Sequence, residues 1–323
     1  MGYAFDPELA PFVESLPVPT PASPTSGVAE AVAARETTAA FFAAMPEMAP
    51  DVRGLEVVDL AVPGRPGAPD VPVRIYRPEQ RSVELVPGIV SIHGGGFSGG
   101  SIYLGDTGAA SYARELGVVV IDVEYRLAPE SPAPAAVEDC YAALTWFHEN
   151  AGDLGVDPER ILISGGSAGG GIAAGLALYA RDHDGPPICF QFLGYPELDD
   201  RLDTPSMRRF VDTPLWNRHA AEQSWRWYLG GASGDGVSPY ASPVRASSHA
   251  GLPPAYISVM EFAPLRDEGI DYARQLLAAG VQVELHLFPG TFHGSALVRH
   301  AAVTKREQSE RLTVVRRALG LDS

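Results

Sequence analysis

Residues 161–171 read Ile-Leu-Ile-Ser-Gly-Gly-Ser-Ala-Gly-Gly-Gly: an apolar strand, a glycine-rich bend and the start of an alanine-rich helix. Gly165-Gly166-Ser167-Ala168-Gly169 fits G-x-S-x-G, in which a serine on a strained strand-to-helix turn lifts its hydroxyl above the sheet edge. Small neighbours are required, because a Cβ beside so tight a turn would collide with the adjoining strand and helix. A helix starting at Ala168 lies directly under the serine, so its unpaired N–H groups and positive dipole end face an oxyanion formed there. A phosphate-cradling loop fits less well, since it needs lysine after its last glycine. Here Ile172 follows Gly171, and the only lysine is Lys305. A turn that merely joins strand to helix is the plain alternative, and a glycine motif upstream with a histidine downstream weighs against it.

Length allows one elaborated domain or two, since 323 residues with 46% hydrophobic content can bury a large core. Strands alternating with helices from about residue 54 favour a single α/β domain over 1–323. The balance of 24 basic against 40 acidic residues, net −16, argues against nucleic acid, whose phosphates supply most of that affinity, and against an anionic membrane surface. Cys140 and Cys189 show neither metal spacing nor a disulfide framework. Both are expected as buried packing residues, with a reducing compartment as the default. Residues 1–7 lack the basic and apolar regions of a secretion signal, and no stretch is apolar enough to span a bilayer. A soluble cytoplasmic protein is expected, and self-association into a homo-oligomer stays open.

The chain then divides readily. Residues 11–25 are rich in proline, serine and threonine and read as an extended connector; 27–45 carry an imperfect apolar stripe at helical spacing. Residues 55–61 and 71–76 read as paired strands. The buried strand 88–92 ends in His93-Gly94-Gly95-Gly96-Phe97. Three glycines after a buried strand let the backbone approach a ligand and present unshielded N–H groups, as an oxyanion hole requires. Further strands are expected at 117–123, 188–193, 255–260 and 281–287, and helices at 135–150, 267–279 and 295–319. Residues 195–230 form an insertion holding Phe210, Trp216, Trp225, Trp227 and Tyr228. Most of these should pack among themselves; Trp216 and Phe97 are candidates for a substrate wall. His293 follows the strand 281–287 and a turn, which delivers it to the carboxyl edge of the sheet, where α/β folds place ligands. The other histidines lie outside any motif.

His93 to Phe97, Tyr125 to Glu130, the Ser167 bend, Pro264 to Gly269 and His293-Gly294 together resemble the hormone-sensitive-lipase group of α/β-hydrolases. The resemblance implies an α/β-hydrolase fold with a mostly parallel sheet. It also implies hydrolysis of a small-molecule carboxylic ester by a serine–histidine–acid triad without metal or cofactor. A helical lid would be built from about 1–50 and about 195–230. The catalytic serine and histidine would be Ser167 and His293, with oxyanion donors among Gly94, Gly95, Gly96 and Ala168.

The resemblance breaks at one place. In the family pattern an aspartate stands immediately before Pro-Leu-Arg-Asp-Glu, and here that position is Ala263. Alanine can neither hold the histidine tautomer nor stabilise the imidazolium. Glu261 is the nearest substitute acid, two positions away on the same side of an extended strand. Asp267 and Glu268 fall in a first helical turn, where acids are expected for the dipole alone. Three readings stay open: an inactivated form of an esterase, engineered or otherwise; a hydrolase drawing on another carboxylate; or a ligand-binding relative that has left hydrolysis. An amidase uses the same acyl chemistry. A milder departure is Gly166, where the family often carries an acid.

Overall fold

The computed structural model describes residues 2–21, 23, 27–45, 48–80, 82–104 and 108–321. The strands are β1 (Leu55–Val62), β2 (Val71–Pro78), β3 (Val86–Ile92), β4 (Val119–Val123), β5 (Val156–Gly166), β6 (Phe190–Gly194), β7 (Ala255–Met260) and β8 (Val283–Phe288). They form one eight-stranded sheet in the order β1-β2-β4-β3-β5-β6-β7-β8. β2 pairs antiparallel with β1 and β4, and every other pairing is parallel.

The middle strands are covered on both faces, which is why they read as unbroken apolar runs rather than alternating ones. All residues of β4 and β7 are buried, whereas the edge strand β1 is exposed along its middle. The helices are α1 (Ala10–Val13), α2 (Val28–Ala43), α3 (Ala109–Leu116), α4 (Ala135–Glu149), α5 (Ala151–Leu154) and α6 (Ala168–Asp182). After them come α7 (Pro205–Arg209), α8 (Arg218–Leu229), α9 (Arg266–Ala278) and α10 (Ala302–Ala318). The larger core cluster joins β3, β4 and β5 to α4 and α6. A second lies between the opposite face of the sheet, α3 and α10.

The order of strand addition reverses at the centre. β3 is followed by β4 on one side and β5 on the other, which opens a crevice at the carboxyl ends of β3 and β5, the switch point where such sheets bind ligands. The glycine loop after β3 and the Ser167 bend after β5 both emerge there, with Ile92 and Gly165 paired in register.

Several expectations need correction. Cys140 is buried, but Cys189 is only half-buried beside β6. The last helix begins at Ala302, after a short 3₁₀ turn at Ser295–Leu297, because Val298 (ψ 72°) and Ala301 (ψ 138°) leave the helical region between them. The proline-rich start holds one turn of helix, α1. α3 occupies 109–116, a stretch with no expected element, between two left-handed glycines, Gly108 and Gly117. In the stretch expected to cover the pocket, residues 1, 22, 24–26 and 46–47 lie outside those described.

Candidate active site

The bend is built by close approach. A Cβ on Gly165 would stand 2.2 Å from the Gly169 carbonyl oxygen, and one on Gly169 would stand 2.2 Å from that of Ile92. With no side chains there, the chain reverses within a few residues and Ser167 takes φ 58° and ψ −126°, a sparsely populated geometry for a residue with a Cβ. The surroundings hold it. Ser167 N–H donates to Gly194 C=O at 2.8 Å, and its own carbonyl accepts from Gly171 N–H and Glu197 N–H, each at 3.1 Å.

Beyond β8, the turn at Gly290 and the buried Phe292 carry the chain to His293. His293 Nε2 lies 3.0 Å from Ser167 Oγ. The pair is buried, at 7% and 8% exposure, so the imidazole is kept from water while in hydrogen-bond contact with the hydroxyl. Tyr195 stands edge-on to the ring at 5.3 Å and Trp216 tilts against it at 5.5 Å. This burial pushes the His293 pKa down to about 4. The ring is therefore neutral near pH 7, the state in which Nε2 can take a proton from a serine.

The glycine loop closes the other side. The Gly94 Cβ direction points at Ser167 Cβ, 3.4 Å away, and Gly96 lies under the Trp216 ring at a positive φ. The N–H groups of Gly94, Gly95, Gly96 and Ala168 donate to no carbonyl among the described residues. They remain available to an oxygen placed between loop and helix. His93 braces the loop: its ring stacks on Tyr125 at 4.2 Å, Nδ1 contacts Gly94 O at 2.8 Å, and Tyr125 Oη donates to His93 C=O at 2.9 Å. Ser224 Oγ adds a bond of 3.0 Å to Gly96 C=O.

The third position holds no acid. Ala263 is 1% exposed in an apolar cluster with Leu9, Met260, Phe288 and Phe292. Its loop is tied to the histidine loop by Phe262 N–H donating to Thr291 C=O at 2.9 Å. His293 Nδ1 is buried with no hydrogen-bond partner among the described residues. Glu261 does not fill the gap, because its Oε2 accepts from Gly290 N–H at 2.7 Å. Strand alternation did not anticipate this: the turn after β8 offers Glu261 a nearer donor than the imidazole. Asp267 accepts from Ser206 N–H and pairs with Arg266, and Glu268 accepts from Leu198 N–H.

Ser167, His293, Trp216 and the three glycines line one cavity of about 970 Å³. Phe97 does not. Its φ of 56° turns the ring inward, where it stacks on Tyr228 at 3.9 Å and packs against Trp225 in the core. Phe210, Trp225 and Tyr228 are likewise buried. Thr38 and Phe42 of α2 line the cavity, and α2 is held by Arg35, which forks onto Glu130 at 2.7 Å and donates to Ser98 C=O at 2.6 Å. Tyr125 opens one of the family-like segments, but its bracing of His93, like the places of Tyr195 and Glu197 beside the site, does not follow from the sequence. Periodicity does not tell a strut from a core residue.

Among the described residues no group of three or more histidine, cysteine or acidic side chains could hold a metal, and no helix is long and apolar enough to cross a membrane.

This geometry has counterparts. The α/β hydrolase fold family matches residues 89–297, and the chain belongs to that family, within its hormone-sensitive-lipase group. Among solved structures it is similar to a bacterial heroin esterase, at 50% identity and a TM-score of 0.90 over 98% of both chains. It is also similar to an esterase from Mycobacterium marinum, at 37% identity and a TM-score of 0.81 over 98% of this chain and 96% of that one. The carboxylesterase NlhH of Mycobacterium tuberculosis is 41% identical over 251 residues, 77% of each chain.

Proposed function

We propose that this chain is a carboxylic-ester hydrolase that works by acyl transfer, with its rate limited by the alanine at the third triad position. Ser167 attacks the ester carbonyl as His293 Nε2 takes its proton. N–H groups of Gly94, Gly95, Gly96 and Ala168 hold the oxyanion, and the imidazolium returns the proton to the leaving alcohol. Water then repeats the sequence on the acyl-serine. The observation that carries this reading is the 3.0 Å contact between Ser167 and His293 beside the N–H groups of Gly94, Gly95 and Gly96, which donate to no carbonyl among the described residues. The esterases among the relatives support ester substrates; an amide would follow the same steps. α2 and the segment 195–230 act as a lid, for Thr38, Phe42 and Trp216 face the same cavity as the nucleophile.

With alanine at 263, nothing stabilises the imidazolium or fixes the tautomer, and losing that acid costs about 10⁴-fold in kcat in triads of this kind. The residual rate rests on the oxyanion donors and binding. A ligand-binding protein is the second reading, favoured by a His293 Nδ1 that has no hydrogen-bond partner among the described residues next to an intact cavity. Turnover of a short p-nitrophenyl ester by this chain, Ala263→Asp and Ser167→Ala separates them. A slow hydrolase that Ala263→Asp accelerates by about 10³-fold or more, and that Ser167→Ala abolishes, supports the proposal. No gain in Ala263→Asp, with tight ligand binding, favours the receptor reading.

A further inference from the structure

The cavity continues past the catalytic pair. Its lining runs from Gly166 to Tyr195, Tyr112 and the inner side of α10, where Glu307 and Arg311 stand one turn apart. A Cβ on Gly166 would rest 3.4 Å from the Tyr195 hydroxyl, so with glycine there the phenol stays open to the space beside the nucleophile. Tyr195 links the two ends. Its ring meets His293 edge-on, and its hydroxyl, whose pKa burial pushes up, senses the charges of Glu307 and Arg311.

Arg311 is the anomaly in this inner chamber. Its guanidinium lies over the Tyr112 ring at 5.2 Å and against Gly108. It is neither ion-paired nor a donor to any described residue, and its Nε is sealed from solvent. A guanidinium does not lose its proton, and leaving such a donor buried without an acceptor is costly. Glu307, four residues back on the same helix, does not close a salt bridge with it. Burial pushes Glu307 up to about 7, with Arg311 pulling down and Glu310 pushing up, so it can carry a proton toward a neighbouring acceptor. Of the cations among the described lining residues, Arg114 is already paired with Asp51 and Glu115, whereas Arg311 has no such partner among the described residues.

We infer that the inner chamber receives a carboxylate carried by the substrate, held by the Arg311 guanidinium and the Tyr195 hydroxyl, so that the preferred esters bear a free acid a few bonds from the scissile carbonyl. An acid on the acyl side, as in a monoester of a short dicarboxylic acid, and one on the alcohol side, as in an acylated hydroxy acid, present the same group. The inference rests on the ester-hydrolase reading and deepens it. Arg311 acts on specificity and touches no reacting atom.

The test compares kcat/KM within matched pairs, on the chain and in an Ala263→Asp background: mono-p-nitrophenyl glutarate against p-nitrophenyl pentanoate, and acetoxyacetate against its methyl ester. The acid should be preferred by about tenfold or more in at least one pair. Arg311→Met should erase that ratio, Arg311→Lys should keep part of it, and Gly166→Asp, which aims a rival carboxylate at Tyr195, should also erase it. Should Arg311→Met not fold, protection of Ser167 from a fluorophosphonate by free glutarate, and not by the neutral pentane-1,5-diol, reads the same contact in the unaltered chain. Neutral esters preferred in both pairs, ratios indifferent to Arg311, or no protection by glutarate overturns the inference. If no ester is turned over and no label is taken up, the ester-hydrolase reading has failed, and calorimetric titration with glutarate then decides the chamber separately: heat lost in Arg311→Met and partly kept in Arg311→Lys supports it, and no heat in the unaltered chain overturns it.

Discussion

Glu197 donates its N–H to the Ser167 carbonyl at 3.1 Å, so a fully buried carboxyl hangs from the residue that positions the nucleophile. Neither of its oxygens has a hydrogen-bond partner among the described residues. Burial pushes its pKa up to about 8, with the nearby Ser224 hydroxyl pulling the other way.

A stability consequence follows from linkage. The folded protein favours protonated Glu197, so the stability tied to this group is complete below the unfolded carboxyl range and is lost as pH rises from about 4.5 through about 8. Glu197→Gln cannot ionise and should flatten that slope. Thermal melts are expected to show the variant above the parent at about pH 9 and level with or below it at about pH 5. A parent that is no less stable on the alkaline side contradicts this.

The acid limb of the rate profile reports His293. In this chain kcat/KM should rise as the imidazole deprotonates, with a midpoint at about 4. In Ala263→Asp the new carboxylate favours the imidazolium, which raises the pKa and moves the limb to higher pH. A pH series on both proteins checks the direction; an unmoved or lowered limb would show that position 263 does not reach the ring.

Gly96 sits where a methyl group has no room. A Cβ there would lie 2.6 Å from Trp216 Cη2 at a φ of +59°. Gly96→Ala should displace the loop or the indole, disturb the oxyanion donors and lower kcat by about 10²-fold with a smaller change in KM. Steady-state kinetics with a p-nitrophenyl ester make the comparison. A change confined to KM would mean that the loop shapes the pocket without holding the oxyanion.

The sheet, its central crevice and the residues around Ser167 and His293 were legible because each depends on a local requirement. Buried parallel strands must be continuously apolar, and a strand-to-helix reversal as tight as 165–169 tolerates only small residues. What was not legible depends on distant parts meeting. The inward turn of Phe97 follows from a positive φ that its sequence neighbours do not demand, and Glu261 is diverted by Gly290, which is 29 positions away. Arg311, which no described residue pairs with by charge, is on a helix whose polar pattern looks like that of any solvated face until the cavity beneath Gly166 is seen.

The most direct measurement is covalent. A serine-directed fluorophosphonate, followed by intact-mass and peptide analysis, should add one label to the folded chain at Ser167, faster in Ala263→Asp and not at all in Ser167→Ala. Folded protein that takes no label even with aspartate at 263, or that takes it equally well when Ser167 is alanine, would contradict the assignment of the nucleophile.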